Sequence, residues 1–106
     1  MSYRYMRVIV MFDLPMETAL ERKDYALFRK HLVKNGFLML QKSIYCKLAQ
    51  NSVAAENIVA SVRKNKPKNG LVQVLSITEK QYSKIEYIVG TGCSEVIDSD
   101  ERLLIL

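Results

Sequence analysis

Two cysteines are all that this chain of 106 residues has, Cys46 and Cys93, and neither sits in a CxxC pair or beside a second metal-type ligand. That spacing excludes a disulfide framework and a zinc ribbon, and both thiols read as free in a reducing compartment. Long apolar runs are missing too. The longest near the start, Val8 to Phe12, is cut off by Asp13. It is too short for a signal-peptide core and far short of the roughly 18–20 apolar residues of a membrane span, so the expected location is cytoplasmic. His31 is the single histidine. No Gly-rich phosphate loop and no Ser-His-Asp pattern is present, which removes nucleotide-cradle and triad chemistry from consideration. There is no internal repeat, no low-complexity tract and no linker, so the length reads as one domain.

Charge is present in excess and unevenly placed. The formal net charge is +5. Residues 1–68 hold thirteen Lys/Arg against five Asp/Glu, a balance of +8, whereas residues 69–106 carry −3. A basic body suggests an anionic partner, although a solvated charged face gives the same count. Hydrophobic residues make up 49% of the chain. A domain of this size buries only about two-thirds of its unfolded surface, so some apolar area is left for a partner.

Residues 5–12 are β-branched and apolar on both alternating faces, as in a central strand covered on both sides, and Pro15 stops the run. Thr18 with Glu21 is a capping-box signature and opens a helix over 19–35, ended by Gly36. Its spacing places Leu20, Leu27, Phe28, His31 and Leu32 on the inner face, with Tyr25 at the border and Arg22, Lys23, Arg29, Lys30 and Lys34 outside. Residues 37–48 are strand-like again, either one long strand or two joined by a bend that no Gly or Pro marks. Asn51-Ser52 can cap a second helix over 53–65, with Ile58, Val62 and Ala55 or Val59 inward. A basic turn follows, Arg63-Lys64-Asn65-Lys66-Pro67-Lys68-Asn69-Gly70, then a strand over 71–78, a short helix over 79–85 and a short strand over 87–89.

That order fits an α+β, two-layer, ferredoxin-like βαββαβ sandwich over residues 1–92, with both helices on one face of the sheet. The other face stays apolar, which predicts a homodimer packed sheet to sheet; the alternative is that C-terminal elements cover it within the chain. Residues 93–106 form an acidic tail closing in Leu103-Leu104-Ile105-Leu106, read as a docking tail or extra edge strand.

Asp13 sits where the buried strand emerges. A carboxylate there can hold a hard metal ion such as Mg2+, particularly if a dimer brings up a second copy. The same residue type also caps turns, and spacing alone favours that role. His31 reads as a packed structural histidine. Arg22, Arg29, Lys30, Lys64, Lys66 and Lys68 are the candidate nucleic-acid contacts, able to follow a phosphate backbone without reading bases. No aromatic platform of the RNA-recognition kind is evident.

Three segments resemble the CRISPR-associated protein 2 family. The first is Val8-Ile9-Val10-Met11-Phe12-Asp13-Leu14-Pro15, the second the helix end Leu32-Val33-Lys34-Asn35-Gly36, and the third Gln41-Lys42-Ser43-Ile44-Tyr45, similar to a Gln-x-Ser-Val-Phe strand. The likeness covers about residues 4–90, and the helix run Glu21 to Lys30 looks most like members from type II systems. Phe12 stands where the family often has Tyr, Ile44-Tyr45 replaces Val-Phe, and Tyr25 stands where many members carry Arg. The resemblance implies a ferredoxin-like homodimer partnered with the integrase CRISPR-associated protein 1, binding double-stranded prespacer DNA for spacer acquisition. It also implies a magnesium-dependent endonuclease of RNA or DNA using Asp13. The leading expectation is the scaffold role, with Leu103 to Leu106 docking the integrase or a second copy. The alternatives are the nuclease, of toxin-ribonuclease kind, and a non-catalytic ligand-binding regulatory domain.

Overall fold

The computed structural model describes residues 5–90. Seven elements follow in order: β1 (Met6–Asp13), α1 (Ala19–Lys34), β2 (Leu38–Gln41), β3 (Ile44–Ala49), α2 (Ser52–Lys64), β4 (Leu71–Thr78) and α3 (Glu79–Tyr82). The strands form one sheet ordered β2-β3-β1-β4, with every neighbouring pair antiparallel. This is the ferredoxin-like arrangement expected, and the two split βαβ crossovers place β3 and β1 at its centre. No described helix is long and apolar enough to cross a membrane.

Local chemistry sets the boundaries. Thr18 Oγ1 accepts from the Glu21 amide at 3.0 Å while the Glu21 carboxylate accepts from the Thr18 amide at 3.0 Å, which completes the capping box of α1. Asn51 caps α2 by accepting from the Ala54 amide at 2.8 Å. Lys47 Nζ donates to the Asn35 carbonyl at 2.6 Å and so ties β3 to the end of α1. The stretch 37–48 resolves into two strands joined at Lys42-Ser43, where Ser43 takes φ 66°. A serine in the left-handed region costs free energy that the flanking ladder offsets.

The core lies between the sheet and the two long helices. Val8 and Val10 (0% exposed), Phe12 and Tyr45 pack against Phe28 and Leu32 of α1 and Ala55 and Val62 of α2. Phe12 is its aromatic centre. Its ring stands edge-on to Phe28 at 5.1 Å and lies 5.8 Å from both Tyr25 and Tyr45. The inner face of α1 is narrower than the sequence pattern indicates: Leu20 and Leu27 are 61% and 55% exposed, and only Phe28 and Leu32 are buried. Both leucines fall well round the helix from that pair, beyond the reach of the sheet.

The opposite sheet face is covered in part by the chain itself. One rung across it runs Leu38, Cys46, Ile9, Leu75. The inner two are buried, at 1% and 8% exposure, whereas Leu38 and Leu75 are 66% and 48% exposed. Next to Ile9 on that face, Arg7 reaches up to α3. Its Nε and Nη2 donate to the Glu79 carboxylate at 2.6 and 3.1 Å, Nη1 lies 3.5 Å from Cys46 Sγ, and the guanidinium stacks 4.4 Å from the Tyr82 ring. The strand expected over 87–89 does not form. Tyr87, Ile88 and Val89 are exposed and lie outside any element, because β-propensity without a neighbouring strand supplies no ladder.

Candidate nucleic-acid interface

Asp13 occupies the last ladder position of β1, opposite Leu71 of β4. Its neighbours Phe12 and Leu14 are buried, at 6% and 8% exposure, and anchor the backbone on either side. The carboxylate therefore stands exposed at the end of a strand whose middle is fixed in the core.

The loop after it is tied down from two directions. Glu21 Oε1 accepts from the amides of Glu17 and Thr18 at 2.9 and 3.0 Å. Arg22 Nη1 donates to the carbonyls of Met16 and Glu17 at 3.2 and 3.0 Å. Arg22, a candidate phosphate contact by sequence, thus spends one guanidinium nitrogen on the loop that carries Asp13. From the other side, Gly70 lies so close to the Asp13–Leu14 peptide that a Cβ on it would clash there. A small cleft between the two loops is lined by Leu14, Pro15, Glu21, Asp24, Pro67 and Asn69.

That contact sorts the candidate basic residues. Lys66 and Lys68 are exposed in the α2–β4 loop, whose end at Gly70 abuts the Asp13–Leu14 backbone. Lys64 is the last residue of α2 and is also exposed. Arg29 and Lys30 are exposed on α1, about 15 Å along the axis from its first turn at the helical rise. Arg63 and Lys66 border a further groove floored by Val59, Val62, Val72 and Val74. Leu103, Leu104, Ile105, Leu106 and Cys93 lie outside the described residues.

Among the described residues no group of three or more His, Cys, Asp or Glu could hold a metal ion. Asp13 nevertheless suits a ligand position in a magnesium site: it is an exposed hard-oxygen donor, and Mg2+ typically takes only one or two protein carboxylates plus water and substrate phosphate. Glu21 is committed to the loop instead, its Oε1 accepting from two backbone amides. His31 Nδ1 lies 3.2 Å from Asn35 Nδ2 at the end of α1, a structural setting away from Asp13.

Sequence reasoning missed the Arg7–Glu79–Tyr82–Cys46 cluster. Its one signal was an arginine inside an otherwise apolar strand. The hydrogen bonds it donates to Glu79 hold the Arg7 guanidinium above its already high pKa, against the opposing effect of burial. Burial, reinforced by the Cys46 sulfur, pushes the Tyr82 phenol up to about 12.

Comparison with known proteins places this geometry in a family. The CRISPR associated protein Cas2 family matches residues 6–85. A relative from Treponema denticola, named CRISPR-associated endoribonuclease Cas2, is 54% identical over 101 residues, 95% of this chain and 100% of that protein. Proteins of the same name from Streptococcus mutans and Ligilactobacillus salivarius are 44% and 43% identical over 101 residues, in each case 95% of this chain and 93% and 100% of theirs. The chain belongs to the CRISPR-associated protein Cas2 family.

Proposed function

We propose that this chain is an endoribonuclease that cleaves phosphodiester bonds with Asp13 as its metal-holding carboxylate. The observation that carries the reading is the position of Asp13: exposed at the end of a buried strand and abutted by the loop bearing Lys66 and Lys68. The relatives' shared name, endoribonuclease, supports the same reading. The anchored strand limits the motion of the carboxylate, so little ordering is left for the reaction itself. Lys66 and Lys68, in the loop beside the strand end, supply phosphate contacts as point charges without base preference. A homodimer brings a second Asp13 to the first. Bound Mg2+ would supply an activated water and charge neutralisation at the phosphate. Labelled single-stranded RNA incubated with Mg2+ or EDTA tests this. Asp13→Asn is expected to abolish the magnesium-dependent products while the variant still binds RNA.

A second reading is favoured by Arg29 and Lys30, exposed on α1 away from Asp13. Here a homodimer scaffolds the integrase CRISPR-associated protein 1 and lays double-stranded prespacer DNA along its basic helices. Deletion of residues 95–106 is then expected to abolish integrase capture. Capture unchanged by the deletion removes the docking role of Leu103 to Leu106.

A further inference from the structure

We infer that Gly70 is a positioning residue, setting the register between the lysine-bearing α2–β4 loop and the Asp13 carboxylate. The inference rests on the reading of Asp13 as the metal-holding group. Gly70 has φ +99°, a conformation that disfavours L side chains, and it directly precedes Leu71, the ladder partner of Asp13. A Cβ built on it would lie 2.7 Å from Leu14 Cδ2, 2.9 Å from the Asp13 carbonyl oxygen and 3.1 Å from Leu14 Cα. Two of those atoms are backbone, so no rotamer change relieves the contact. Leu14 is itself buried, so the contact is relieved only by backbone movement, of the 13–14 peptide or of the loop that carries Gly70, and either changes the spacing between the carboxylate and the lysines.

Gly36 supplies the contrast. Its φ is +92°, yet the three atoms nearest to a Cβ there all belong to the flexible side chain of Lys47, at 3.4, 3.5 and 3.9 Å. The strain of a side chain at positive φ is therefore common to both glycines, whereas pressure on Asp13 is peculiar to Gly70. The close approach also bounds where the lysine-bearing backbone runs. Lys68 and Lys66 lie two and four residues upstream, within about 7 and 14 Å of Gly70 even for a fully extended chain. Pro67 and Asn69 face Leu14 and Pro15 across the cleft, which holds the loop against the strand end. Lys68 is thereby held near the strand end that carries Asp13, while Lys66 borders the groove over Val72 and Val74.

The test compares Gly70→Ala, Gly36→Ala and Asp13→Asn, each checked for folding by far-UV circular dichroism. The readouts are RNA cleavage and Mn2+ binding by electron paramagnetic resonance. Gly70→Ala is expected to lower kcat by about 10–100-fold, the range for a misplaced reacting group, and to weaken Mn2+ binding, with KM for RNA little changed. Gly36→Ala should retain wild-type kcat. If Asp13→Asn is inactive while Gly70→Ala keeps wild-type kcat and Mn2+ affinity, the positioning role is overturned and the reading of Asp13 stands. If Asp13→Asn cleaves as wild type does, the reading of Asp13 itself falls. Should Gly70→Ala not fold, one glycine inserted between Lys68 and Asn69 introduces no Cβ but slips the lysines along the loop. It is expected to lower kcat/KM, and a wild-type value overturns the register claim.

Discussion

Cutting the contact between Arg7 and Glu79 should loosen α3 from the sheet by a measurable and bounded amount. The pair is bidentate, at 2.6 and 3.1 Å, and its side chains are 21% and 32% exposed. An exposed pair contributes about 0–1 kcal/mol, while a hydrogen bond to a charged group contributes about 1.5–3 kcal/mol when shielded. Intermediate burial places the coupling at about 1–2 kcal/mol. Arg7→Ala costs more than the coupling, because it also removes the stack on Tyr82, about 0.5–1 kcal/mol, and the stem that lies along the sheet. The assay is a double-mutant cycle of Arg7→Ala and Glu79→Ala, followed by urea denaturation. For a domain of this size, 1–2 kcal/mol corresponds to a Tm shift of about 4–16 °C. A coupling energy below about 0.3 kcal/mol, the level of unrelated sites, would refute the reasoning. So would unchanged hydrogen exchange in α3 when the pair is cut, since the pair is assigned the role of holding that helix down.

Three other outcomes follow from the same geometry. Phe12→Ala removes the ring shared by Phe28, Tyr25 and Tyr45 and is expected to cost about 3–5 kcal/mol in urea unfolding; a loss below about 1.5 kcal/mol contradicts its central place. The raised Tyr82 pKa works against stability at high pH: below pH 10 the phenol is protonated in both states, and between 10 and about 12 the unfolded chain loses the proton first, so stability falls through that window. Tyr82→Phe should flatten that fall, and phenolate absorbance at 295 nm checks the titration directly. Replacing Lys66 and Lys68 together by Ala should reduce the log K against log salt slope for single-stranded RNA by about 1.4, and an unchanged slope excludes phosphate contact by these lysines.

Much of the fold is legible in the amino-acid sequence because its signals are local. The Thr18–Glu21 box starts α1 where expected, and the two-faced apolar strand at 6–13 is at the centre of the sheet. The Lys42-Ser43 turn is not legible, because a serine at φ 66° is imposed by the ladder and leaves no compositional mark. Leu20 and Leu27 match a helical stripe, yet the sheet reaches only Phe28 and Leu32; periodicity gives a face but not its width. The expected strand over 87–89 fails for want of a neighbour. For the site, Asp13 is legible as a carboxylate at a strand end. Its meeting with Gly70 is not, since the two are 57 positions apart and join only through the β1–β4 ladder. The Arg7–Glu79 pair is hidden for the same reason, spanning a sequence separation of 72.

If Asp13 carries the chemistry of this family member, cleavage of labelled single-stranded RNA by wild type and Asp13→Asn will differ. Matched protein concentrations, with Mg2+ or EDTA, isolate the carboxylate's part. Magnesium-dependent cleavage is expected from wild type, and Asp13→Asn is expected to abolish it while RNA binding and the thermal transition are retained. Equal cleavage by the two proteins would contradict it.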